Sequence, residues 1–144
     1  MANNFQRKIQ EITRRVPQFI KDLPRIAKVE GLQFIADNFK RQGFEKKPGS
    51  YDKWKKKKQG RKPTLIGENR GGAMRRSWQG DTTTTEHAVE FTSALPYTEV
   101  HNEGLRAGRP PGFDMPQRQM IGPSDALFKR IQDKFNRMAK EIFE

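Results

Sequence analysis

The chain has no cysteine, only two histidines and only two tyrosines among its 144 residues. The first absence excludes disulfides, a thiolate zinc site and a cysteine nucleophile. The second leaves His87 and His101 as the whole imidazole supply for acid–base or metal chemistry. Leu, Ile, Val and Phe together number 29, about a fifth of the chain, at the boundary below which a highly charged sequence buries too little apolar surface to fold. No run approaches the roughly 18 consecutive apolar residues of a membrane span. The charged start Met1-Ala2-Asn3-Asn4-Phe5-Gln6-Arg7-Lys8 leads into no signal-peptide apolar stretch. Neither a Walker-type phosphate loop nor a G-x-S-x-G elbow occurs. Gly71-Gly72 lacks the Lys-Ser/Thr that would hold a nucleotide, and reads as a turn. The expectation is an intracellular single domain, 1–144, with a thin core and no membrane partner.

What the chain has in excess is positive charge: 29 Lys+Arg against 17 Asp+Glu, net +12. The excess is concentrated, since residues 40–62 hold eleven cations against two acids, for +9. In that stretch Phe44 is the only large aliphatic or Phe residue, accompanied by Tyr51 and Trp54. Residues 44–62 are therefore expected to be a solvated basic loop between a helical part, 1–43, and a more compact remainder.

Apolar periodicity supplies the elements. Phe5, Ile9, Ile12, Val16, Phe19 and Leu23 recur every three or four residues, which is one stripe of a helix. Pro17 and Pro24 remove amide donors within that stripe, so broken N-terminal helices are expected. A second helix runs from Pro24 through Ile26, Val29, Leu32, Ile35 and Phe39 to a cap at Gly43. In the final 21 residues Leu127, Ile131, Phe135, Met138 and Ile142 mark an amphipathic helix with Ser124 as N-cap and Asp125 at its positive end. Between these, Met74, Arg76 and Trp78 share one parity, and Val89 and Phe91 alternate with polar neighbours. Two strands, 73–79 and 87–93, joined near Gly80-Asp81, make a small antiparallel sheet across 63–123. The fold class is α+β.

Chemistry has few places to reside. His101 and Glu103 offer two candidate metal ligands in one segment, fewer than the three a catalytic zinc site uses, so no enzyme, cofactor or small-molecule site is expected. The most pronounced local composition is Lys53-Trp54-Lys55-Lys56-Lys57-Lys58-Gln59-Gly60-Arg61-Lys62. Lys55, Lys56, Lys57, Lys58, Arg61 and Lys62 are the candidate contacts to DNA or to an acidic partner, because such a density of cations binds phosphates by releasing condensed counterions. A bare lysine run is equally what a solvated, self-repelling loop looks like. Zinc-finger spacing, basic-region heptads and an aromatic RNA-binding signature are all absent, so such contact would be indifferent to base sequence.

Three segments carry a resemblance. Leu65-Ile66-Gly67-Glu68-Asn69-Arg70-Gly71-Gly72-Ala73-Met74-Arg75-Arg76-Ser77-Trp78, then Tyr97-Thr98-Glu99-Val100-His101-Asn102-Glu103-Gly104, then Met115-Pro116-Gln117-Arg118-Gln119-Met120-Ile121-Gly122 follow one another before the closing helix. In residues, order and spacing they resemble the phage virion morphogenesis, or tail-completion, family that finishes the head-to-tail joint of tailed bacteriophages. The likeness spans roughly residues 24–143, with Gln119 where that family has proline and Met120 where it has phenylalanine. It implies a small α+β ring subunit of the virion, at the neck or tail end after assembly in the host cytoplasm, with portal, connector or tail-tube proteins as partners and DNA in the lumen. Tyr97, His101, Gly104, Pro116, Arg118 and Gly122 are its motif positions, structural and not catalytic. Read without the family, Tyr97 and Val100 face a core, His101-Asn102-Glu103 lie at an edge, and Gly104 permits a reversal into the loop Gly108-Arg109-Pro110-Pro111-Gly112, a natural place to engage a partner.

Overall fold

The structure, a computed structural model, describes residues 3–58, 60, 63–66 and 72–144. It is α+β: helix α1 (Asn4–Arg41), strands β1 (Gly43–Lys47) and β2 (Ser50–Lys53), helix α2 (Ala73–Asp81), strands β3 (Thr83–Thr84) and β4 (Val89–Glu90), helix α3 (Pro96–Glu103), strands β5 (Arg106–Ala107) and β6 (Phe113–Asp114), and helix α4 (Asp125–Phe143). The strands pair as three separate antiparallel ribbons, β1 with β2, β3 with β4 and β5 with β6, in place of one central sheet. Among the described residues no helix is long and apolar enough to cross a membrane.

The expected break in the N-terminal helix does not occur. One 38-residue helix passes through both Pro17 and Pro24. Each proline withholds one amide and costs about 3 kcal/mol in a helix interior, but α4 lies antiparallel along α1 and splints it. Arg130 pairs with Asp37 at 2.8 Å near one end. Toward the other, the Arg15 guanidinium donates to the Glu141 carbonyl at 3.3 Å, and the Lys8 ammonium reaches the Glu144 carbonyl. Burial of the second half of α1, at Ile26, Phe34, Ile35 and Phe39, together with these contacts to α4, outweighs two missing hydrogen bonds. The helix opens on a capping box, in which the Asn3 side chain accepts from the Gln6 amide at 2.8 Å and the Gln6 side chain accepts from the Asn3 amide. It closes one residue earlier than expected, on Gln42 in the left-handed region (φ 55°), so that Gly43 begins β1.

Residues 44–62 are likewise not simply a solvated connection. Their first part is the β1–β2 hairpin, in which Phe44 is buried edge-on against Phe34 (centroids 5.6 Å, 88°) beside Ala126. Trp54, directly after β2, is buried edge-on against Phe39 (5.3 Å, 85°). The segment makes no core of its own but completes two others, one around Phe34 and Phe44, the other formed by Ile35, Phe39, Trp54, Met74, Trp78 and Met120.

The expected strand 73–79 is the helix α2. Met74 and Trp78, both buried, are four apart and lie on one helical face, while Arg76, which a strand would have placed beside them, is exposed. The expected strand 87–93 contracts to Val89–Glu90, and its partner is Thr83–Thr84, so the turn falls at 85–88 and not at Gly80-Asp81. Phe91 leaves that ribbon to lie against α1 at Gly31, where any Cβ would collide with its ring. Ser124 caps α4 as expected, accepting from the Leu127 amide at 3.1 Å.

Candidate functional site

The centre of the molecule is an extended segment, 115–122, that belongs to no ribbon and is held by side chains from three directions. From α1, the buried Asn38 donates to the Met120 carbonyl at 2.9 Å and accepts from the Glu45 amide at 3.1 Å. From α3, the Asn102 oxygen accepts from the Met120 amide at 2.8 Å and the Ile121 amide at 3.1 Å, while its nitrogen donates to the Ile121 carbonyl at 3.2 Å. From the end of β2, the Trp54 indole donates to the Gln119 carbonyl at 2.9 Å. Two asparagines and a tryptophan thus substitute for the strand neighbours the segment lacks, satisfying backbone groups that would otherwise be buried unpaired.

The motif positions converge on this segment. Tyr97 packs against the larger apolar cluster, and His101 lies one turn further along α3. Gly104 ends α3 at φ 69°, and its Cα approaches the Gln117 backbone so closely that a Cβ would stand 2.9 Å from the Gln117 Cβ. The Arg118 amide donates to the His101 carbonyl at 2.8 Å. The Arg118 guanidinium sends its Nε to the Lys55 carbonyl at 2.8 Å and its Nη1 to within 3.5 Å of His101 Nδ1. Pro116 and Gly122 bracket the segment, both half-buried. Burial, and then the neighbouring Arg118 charge, push the His101 imidazole below the ordinary histidine value; burial lowers Arg118 as well.

Of His101-Asn102-Glu103, expected at an edge, Glu103 is exposed and His101 half-buried, but Asn102 is buried at the point where the segment is held. Glu103, the other imagined metal ligand, accepts from the Asn102 side chain at 2.8 Å, whereas His101 faces Arg118. Among the described residues no three His, Asp or Glu side chains converge on a metal position. His87 stands exposed in the turn between β3 and β4.

Of the candidate cations, Lys55, Lys56 and Lys58 are exposed, and Lys57 is half-buried with its amide donating to the Thr64 hydroxyl at 3.3 Å. Arg61 and Lys62 lie outside the described residues, as do positions 67–71 of the first motif. The loop Gly108–Gly112 forms the turn between β5 and β6, beside the exposed Phe113 and an Arg106–Asp114 pair at 3.3 Å.

Sequence reasoning missed Asn38 and the part played by Asn102. The signal for Asn38 was present: it falls three and four residues after Ile35 and Phe34 and directly before Phe39, a polar residue on an apolar face. Comparison of the chain with family models, with characterised proteins and with solved structures finds no match.

Proposed function

We propose that this chain is a structural subunit of a tailed-phage particle, a tail-completion or head-tail joining protein that docks beside copies of itself in a closed ring. The three-segment resemblance supports this reading, and one physical observation carries it. The chain exposes 10150 Å², whereas a compact monomer of 16.7 kDa exposes about 7,600 Å². The difference, about 2,500 Å² on one chain, exceeds the roughly 800 Å² that each partner contributes to a standard interface and leaves room for more than one. Apolar side chains account for part of it: Phe5, Ile9 and Ile20 stand exposed on one side of α1, and Phe128 and Phe143 on α4. A ring requires two different complementary patches on each subunit, and the long α1–α4 pair offers faces for both.

Light scattering coupled to size exclusion tests this reading. A discrete oligomer larger than a dimer is expected, dissociating in the double variant Ile9→Glu, Ile20→Glu. A strictly monomeric chain, even with its portal-side or tail-side neighbour present, contradicts it.

A second reading, a non-specific nucleic-acid-binding module, is favoured by the exposure of Lys55, Lys56 and Lys58, which pair with no acid among the described residues. It requires binding that weakens steeply with salt and disappears when Lys55, Lys56, Lys57, Lys58, Arg61 and Lys62 are neutralised. In the ring the same lysines would face DNA in the lumen or an acidic neighbouring protein.

A further inference from the structure

Arg118 is only 7% exposed, yet no carboxylate among the described residues pairs with it. Its guanidinium carries five N–H donors. One meets the Lys55 carbonyl, Nη1 approaches His101, and Nη2 has no hydrogen-bond partner among the described residues. His101 offers no counter-charge in either protonation state, since an imidazole is neutral or cationic. A cation this deep without a counter-charge is costly, and it borders an open cavity of about 350 Å³. Lys57, Thr64, Tyr97 and His101 also line that cavity, and the remaining wall is apolar, with Leu65, Ile66, Ala73 and Met74.

We propose that this cavity is a binding site for a carboxylate on a short apolar stem, such as the glutamate side chain of an acidic partner protein. The planar guanidinium fork matches a carboxylate, and the apolar wall accepts the methylenes behind the acid. A protein carrying net +12 draws acidic surfaces toward it and repels basic ones. The proposal holds for any acidic partner and does not depend on the ring.

The test is a titration of the full chain with butyrate at neutral pH and constant ionic strength, followed by NMR at the His101 imidazole and the Arg118 Nε–H. Saturable shifts are expected with butyrate and none with butyramide. Affinity should fall about tenfold or more in Arg118→Lys, and also in Ala73→Phe, which fills the cavity and leaves every charged group in place. If Arg118→Lys does not fold, Ala73→Phe decides alone, with the helical circular dichroism confirming its fold. Absence of saturation, equal response to butyramide, or an Ala73→Phe variant that titrates like the parent would overturn the proposal. Tighter binding of inorganic phosphate than of butyrate would overturn the assigned class. Glu68 follows Ile66 by two positions, so the titration is repeated on Glu68→Gln. An unchanged affinity supports an external carboxylate, whereas a rise of about tenfold overturns it in favour of the chain's own acid.

Discussion

Asn102 shows how much of this fold rests on single polar side chains. Its amide group makes three hydrogen bonds to the backbone of 120–121, and an unsatisfied buried group costs about 1–3 kcal/mol. Asn102→Ala should therefore lower stability by about 3 kcal/mol or more, read from the urea midpoint. Asn102→Asp keeps the accepting oxygen but turns the donor into a second carboxylate oxygen facing the Ile121 carbonyl and the Glu103 carboxylate, so it should cost at least as much. His101 gives a pH signature. Its folded-state value lies below the ordinary one, because of burial and then Arg118. The unfolded chain thus binds a proton at a pH where the folded chain does not, and stability rises with pH between the two values. The contribution is complete above about pH 6.5 and is lost as pH falls through the folded value. Urea midpoints measured from neutral pH downward should drop more steeply in the parent than in His101→Gln. Tyr97, Gly104 and Arg118 stood out in the sequence only through the resemblance. Their packing role was not legible, because Asn102, which holds the segment they meet, sits beside two other polar residues and reads as surface.

At the scale of elements, propensity and packing disagree in instructive places. The apolar stripes of α1 and α4 were legible because a 3.6-residue period is unambiguous over many turns. The prolines misled because the splint of α4 along α1 is a tertiary fact, invisible to local reasoning. Pro17 is exposed in an unbroken helix, so Pro17→Ala should stabilise the protein by about 1–3 kcal/mol and raise its melting temperature; no gain would indicate a real break at that point. Gly31 works the other way. Alanine should gain about 1 kcal/mol of helix propensity, but its methyl would collide with the Phe91 ring. Gly31→Ala is expected to destabilise, and combining it with Phe91→Ala should remove that clash and make the effect of the alanine less adverse. The α2 segment was misread because Met74, Arg76 and Trp78 satisfy period two as well as the four-residue spacing of a helix, and over nine residues only the burial of each side chain separates the two. Phe44 and Trp54 were underrated for a related reason: a segment too basic to fold alone can still lend two aromatic rings to cores built by α1, α2 and α4.

The whole molecule is dominated by surface. Its apolar residues fill two small clusters and leave Phe5, Ile9, Ile20, Phe128 and Phe143 in solvent, while the charge is concentrated in residues 40–62. Composition already pointed this way, since a fifth of the chain in large apolar residues makes a thin core. The surface excess puts a magnitude on that thinness, and association is the physical remedy for it. The most direct measurement is to image purified phage particles with this subunit tagged, alongside mass spectrometry of the same particles. The subunit is expected in the particle, as a ring of density at the neck or tail end. Its absence from purified particles, together with a folded, solitary form in uninfected cells, would contradict the account.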